Sequence, residues 1–156
     1  MKVDSDLDLW PDDISVDIVT PLAILRAQVG PLQKKTKGLL RVNVSTQTSS
    51  EGDSVIHKMD LVAPALGNYR QEILSVTHTK DRVYPVQIEA ECLATSVGDD
   101  ESGYVDFKRQ ADTEQEFIRL LGEVLRSGPV RAVIHSLLAR MNEQTAEGSG
   151  DAPATR

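Results

Sequence analysis

Aromatic residues are scarce in this chain: Phe, Tyr and Trp make up 4% of 156 positions, so a core has to be assembled from Leu, Val, Ile and Ala. A single cysteine, Cys92, excludes an internal disulfide and agrees with a reducing compartment. No window approaches the roughly 18 consecutive apolar residues that span a bilayer. The opening MKVDSDLDLW is acidic and no apolar h-region follows it. These absences predict a cytoplasmic protein with no membrane partner. The chain also lacks a G-x-S-x-G elbow, a P-loop, a G-x-G-x-x-G turn and an H-E-x-x-H pair. Pattern therefore assigns no catalytic residue, no metal and no cofactor, and it leans away from an enzyme, while active sites do assemble from residues distant in sequence.

The chain is acidic, with a formal net charge of -7, and the excess is localised. Residues 20–142 hold equal numbers of acids and bases, whereas residues 1–19 hold six Asp against Lys2 and residues 143–156 are again acidic. A central region with no net positive charge is a poor non-specific nucleic-acid binder, because such binding rests on neutralising phosphates. Lys34, Lys35 and Lys37 form the one basic cluster, at a place where cations favour a helix C-terminus.

The length fits one domain, since single cores occupy roughly 100 to 150 residues. Residues 20–142 are expected to form it, between an acidic N-terminal segment expected to be flexible (1–19) and a disordered tail (143–156). In the segment, Leu7, Leu9 and Trp10 alternate with Asp6 and Asp8 and precede Asp12 and Asp13. Acidic-apolar alternation suits a strand of chain that docks on a partner with the aromatic as anchor; the plainer expectation is a frayed end with Trp10 tucked onto the domain. Asp4-x-Asp6-x-Asp8 is not a calcium loop, because Leu9 and Ser15 stand where Gly and Glu are required. Asp6, Asp8, Trp10, Asp12 and Asp13 are the candidate partner-binding residues, and the partner would be a basic protein.

Thr20-Pro21 marks a helix start. The apolar face of Leu22, Leu25, Val29 and Leu32 is interrupted by Gly30-Pro31, so this helix kinks or splits there, and Gly38 closes it. From Gly38 to about Thr95 the period changes to two, predicting four strands: one around residues 40–45, two in a hairpin, and one from Arg82 to Ala94 with Cys92 on its apolar face. VGDDESG then makes a flexible tip, followed by a short YVDF piece. Thr113 to Glu116 forms a capping box, and Phe117, Leu120, Leu121, Val124 and Leu125 form a buried stripe. After Ser127-Gly128-Pro129 a last helix buries Val130, Val133, Ile134, Leu137, Leu138 and Met141, with Arg131, His135 and Asn142 opposite. The predicted class is α+β: an N-terminal helix, a four-stranded antiparallel sheet and two C-terminal helices packed on one face. An over-wide apolar stripe on the last helix would allow a homodimer.

The hairpin HKMDLVAPALGNYRQEILSVTH begins and ends with histidine. With Gly67-Asn68 as a two-residue loop, Leu61 faces Leu74, Met59 faces Val76 and His57 faces His78. Two histidines are too few for zinc, which takes three or four protein ligands, and their neighbours on that face are apolar. The pair is expected to be hairpin geometry. The competing expectation is a small-ligand or enzymatic site formed by His57, Tyr69, Arg70 and His78, and Pro64 would lengthen the loop and shift the register.

Overall fold

A computed structural model describes residues 2, 5–96 and 104–149. The expected flexible tip at 97–103, the side chain of Cys92 and the last residues of the expected tail, 150–156, lie outside the described ones. The chain is α+β, with a five-stranded antiparallel sheet in the order β1-β2-β3-β4-β5.

Two short helices lead into the sheet. In α1 (Pro21–Ala27) the Thr20 hydroxyl accepts from the Ala23 N–H at 3.2 Å, and Pro21 takes the first position. The break falls at Gln28, ahead of the expected Gly30-Pro31. Proline has no N–H to give and its ring opposes the carbonyl four residues earlier, so the helix has to restart with Pro31 inside the first turn of α2 (Val29–Lys35). The end of α2 is closed by two bonds, Gly38 N–H to Gln33 O at 2.8 Å and Lys37 N–H to Lys34 O at 3.2 Å. Both Lys37 and Gly38 are left-handed, at φ 53 and 78. Buried Thr36 donates to Leu32 O and accepts from the Leu40 N–H, tying α2 to the start of the sheet.

The strands are β1 (Arg41–Thr48), β2 (Ser54–Ala63), β3 (Tyr69–Thr79), β4 (Val86–Ser96) and β5 (Tyr104–Ala111). The expected four become five because YVDF continues through Lys108-Arg109-Gln110 to Ala111 and pairs with β4. Its polar residues hide it from a hydrophobicity pattern, but Lys108 lies 3.4 Å from Glu89 across the ladder, which gives the wet-face Glu89 a cross-strand partner.

The central hairpin also departs from expectation. Its connection is not two residues but Pro64–Asn68, with a 3-10 turn at Pro64–Leu66 followed by left-handed Gly67 and Asn68. Pro64 cannot donate to the ladder, so β2 ends at Ala63, opposite Tyr69. Ile73 drops out of the ladder at a β-bulge between the pairs Met59–Leu74 and Asp60–Glu72. As a result Leu61 faces Gln71, Met59 faces Leu74, and His57 faces Val76.

One apolar face of the sheet carries Met59, Leu61, Leu74, Val76, Val86 and Ile88 into a single core with the helices. Helix α3 (Glu114–Leu125) begins at the expected cap: Thr113 accepts from the Glu116 N–H at 3.2 Å, while the Glu116 carboxylate reaches back to the Asp112 N–H at 2.9 Å. Phe117 is wholly buried, edge-on to Tyr84. Helix α4 (Gly128–Ser149) buries Val130, Leu137 and Met141 and runs on through residues 143–149, past the point at which the tail was expected to begin.

Phe117→Ala should cost about 3 to 5 kcal/mol, as for other buried aromatics, and its helical neighbour Ile118→Ala, half exposed, no more than about 0.5 kcal/mol. Urea unfolding of the two variants separates them; equal losses would mean that α3 does not bury the Phe117 face.

Candidate functional site

The partner-binding residues expected near the N-terminus lie on an irregular, solvent-exposed stretch with turns at residues 5–6 and 12–13. Leu7, Leu9, Ile14, Val16 and Ile18 are exposed, Trp10 to 78% and Val16 to 96%. Trp10 is therefore not tucked onto the domain. Its N–H is held by the Asp8 carboxylate at 3.0 Å, a local turn that leaves the indole free. From Ile14 to Ile18 the apolar side chains alternate with Ser15 and Asp17. The stretch is moored at its far end, where the Tyr84 hydroxyl donates to Val19 O at 2.9 Å just before the Thr20 cap. Burial, with Glu114 behind it, raises the Tyr84 phenol above its ordinary value, so it remains a donor.

The second cluster is the histidine pair. Although His57 and His78 are not directly opposite, they are diagonal neighbours on one face, and their Nε2 atoms are 3.0 Å apart. Their tautomers follow from their partners. Nδ1 of His78 lies 2.7 Å from Thr79 O and 3.1 Å from Arg82 O, and carbonyls only accept, so that nitrogen carries the proton. With both rings neutral, His78 Nε2 accepts from His57 Nε2–H, and His57 Nδ1 accepts from the Thr46 hydroxyl at 2.8 Å. All four ring nitrogens are engaged, which leaves no lone pair for a metal or a substrate unless the pair comes apart. Burial, followed by the fields of His78 and Arg26, lowers the His57 imidazole to about 4. So weak a base is poorly suited to take the Thr46 proton at neutral pH.

Tyr69 and Arg70 do not join the histidines. Tyr69 lies opposite Ala63, and at ~3.3 Å per residue the rise from His57 puts it about 20 Å away. The Tyr69 hydroxyl donates to Gln71 at 3.0 Å, and the Arg140 guanidinium sits 5.3 Å from the ring centroid. The four residues grouped by sequence thus occupy opposite ends of the hairpin.

One feature escaped the sequence pattern altogether. A groove of about 480 Å³ opens between α2, α3 and α4, floored by Val42, Met59, Leu61 and Ile73. Its polar lining includes Lys35, Arg126 and Arg131, with His135 alongside. Arg131 and His135 were expected to lie opposite the apolar stripe of α4, but they border this groove beside Ile134 and Leu138. The signal that could have found them is their spacing, since positions 131, 134, 135 and 138 share one helical face.

Acid should destabilise the fold through His57. The unfolded imidazole titrates near 6.5 and the folded one near 4, so between these values the unfolded chain holds the extra proton and stability falls as pH falls, by on the order of 3 kcal/mol over the full window. Carboxylates add their own losses below about pH 5, so the cleanest comparison is urea unfolding from pH 7 to 5, where His57→Gln should flatten the slope. An unchanged slope would mean that His57 is not the group responsible.

Among the described residues no helix is long and apolar enough to cross a membrane. The chain matches no protein-family model, no curated protein and no solved structure.

Proposed function

We propose that this chain is a small protein-interaction module whose N-terminal stretch, residues 5–19, is the docking element for a protein with a basic surface. The observation that carries the proposal is the exposure of Trp10, Leu9 and Val16 on an irregular stretch studded with Asp. Each large apolar side chain left in water forgoes roughly 1.5 to 3 kcal/mol that burial would return. An exposed indole flanked by acids has the make-up of an interface anchor: the ring fills a pocket, and the carboxylates steer a basic partner into register. Size and acidity are those of proteins that mask a basic active surface, such as an antitoxin, an immunity factor or an accessory subunit, an analogy that ranks below the residue chemistry. A cytoplasmic setting accords with the single cysteine.

Trp10→Ala should weaken partner binding by about 2 kcal/mol or more, roughly thirtyfold in Kd, and added salt should slow association more than it speeds dissociation. Affinity capture at low salt from the native host supplies the partner, and titration of the purified pair supplies the constants. A chain starting at Thr20 that binds the same partner as tightly would move the site onto the folded body.

A further inference from the structure

The groove beneath α2, α3 and α4 is chemically the opposite of the N-terminal stretch. Its floor is apolar, and it is bordered by Lys35, Arg126 and Arg131 with no carboxylate among the described residues that line it, in a chain whose net charge is -7. None of these three cations is in an ion pair among the described residues. Gly122 provides the room for one of them: a side chain at that position would meet Arg126 Nη1 at 3.2 Å, so glycine lets the guanidinium lie along α3 at the groove wall. The stretch, for its part, offers apolar Leu7, Leu9, Trp10 and Ile14 among Asp6, Asp8, Asp12 and Asp13, and no described residue covers Trp10. An uncovered acidic-apolar ribbon and an uncovered apolar groove with a basic rim are thus both present on one molecule.

Within a single chain the stretch and the groove lie at opposite ends of α1. Thr20 is extended, at φ -74 and ψ 152, and α1 rises from it to Gln28, where the groove lining begins. The residues before Thr20 therefore lead off from the opposite end of α1, and the Tyr84–Val19 hydrogen bond holds that exit. The strap from Trp10 to Val19 spans up to ~30 Å when extended, enough to cross to a neighbouring molecule. We infer that residues 5–18 of one copy lie in the groove of a second copy, and reciprocally, forming a closed two-fold dimer. The Trp10 indole seats on the apolar floor, and Asp12 and Asp13 meet Arg126 and Arg131 at the rim. The inference rests on the docking role proposed for the stretch and identifies the second copy as an occupied partner of that element.

The chain has a single tryptophan, so its emission reports the stretch directly. Sedimentation equilibrium of the full chain should give a dimer with blue-shifted emission, and raised salt should weaken it. Arg126→Glu with Arg131→Glu should raise the dimer Kd tenfold or more and return Trp10 to water-like emission, and Asp12→Lys with Asp13→Lys should do the same. Because each pair leaves one half of the exchange intact, mixing the two variants in equal amounts should restore both dimer and blue shift, a result that misfolded variants could not give. A mixture that stays monomeric overturns the inference, as does a full chain that is monomeric with water-exposed Trp10. Blue-shifted emission from a monomer overturns the exchange in favour of docking within one chain. If the self-exchange fails while Trp10→Ala still loses a different protein partner, the docking role stands and only the second copy falls; if a chain starting at Thr20 keeps that partner, the docking role itself is lost.

Discussion

Because Pro64 has no N–H to offer a ladder, β2 stops at Ala63, and the pairing of β3 against β2 is counted from there. The bulge that releases Ile73 then resets the count once more, so that Ile73 and Leu74 are both buried although they are adjacent in a strand. That double burial supplies the groove with one wall of its floor and the core with its contact to Met59. It also brings His57 and His78 into diagonal contact instead of face-to-face pairing. The helices have to fit the surface thus produced, with Phe117 and Val124 of α3 and Val130 and Leu137 of α4 closing over it.

Charge is partitioned as sharply as apolar surface. The body is neutral as a whole, yet Lys35, Arg126 and Arg131 border one opening with no carboxylate among the described residues that line it, while several acids of the body pair in ladders or at a helix start. Lys58 with Glu72 and Lys108 with Glu89 are ion pairs across strands, and the Glu116 carboxylate accepts from the Asp112 N–H just ahead of α3. Such exposed pairs contribute little stability. Equal numbers of acids and bases in the body leave the net negative charge of the chain outside it, where it can act over a Debye length of roughly 8 Å.

Much of this architecture can be read from periodicity. Thr20-Pro21, the alternation in β1 and β4, the Thr113 cap and the stripes of α3 and α4 each correspond to a local physical rule with few alternatives. β5 escaped because Lys108-Arg109-Gln110 interrupts its apolar alternation, and an edge strand needs only one apolar face. The hairpin register escaped because a glycine-asparagine pair fits both a two-residue turn and the end of a longer one. Trp10 was expected, on the plainer reading of a chain end, to tuck onto the domain, and it is exposed instead. The groove escaped for a different reason: Lys35, Arg126 and Arg131 come from three helices, and only the tertiary fold places them on one rim.

The histidine pair is instructive because the anticipated register was wrong and the neighbours were right. A slip of two residues, from His57 opposite His78 to His57 opposite Val76, leaves the side chains on this side of the bulge on their original face. Alternation is in effect a two-letter alphabet with a two-residue word, and it is blind to displacements by a whole word. The residues that remove this degeneracy bury almost nothing themselves: Pro64, Gly67 and Asn68 are half-buried or exposed. In this protein the amount of apolar surface covered is written in the core, while the choice among equally well covered arrangements is written in the punctuation.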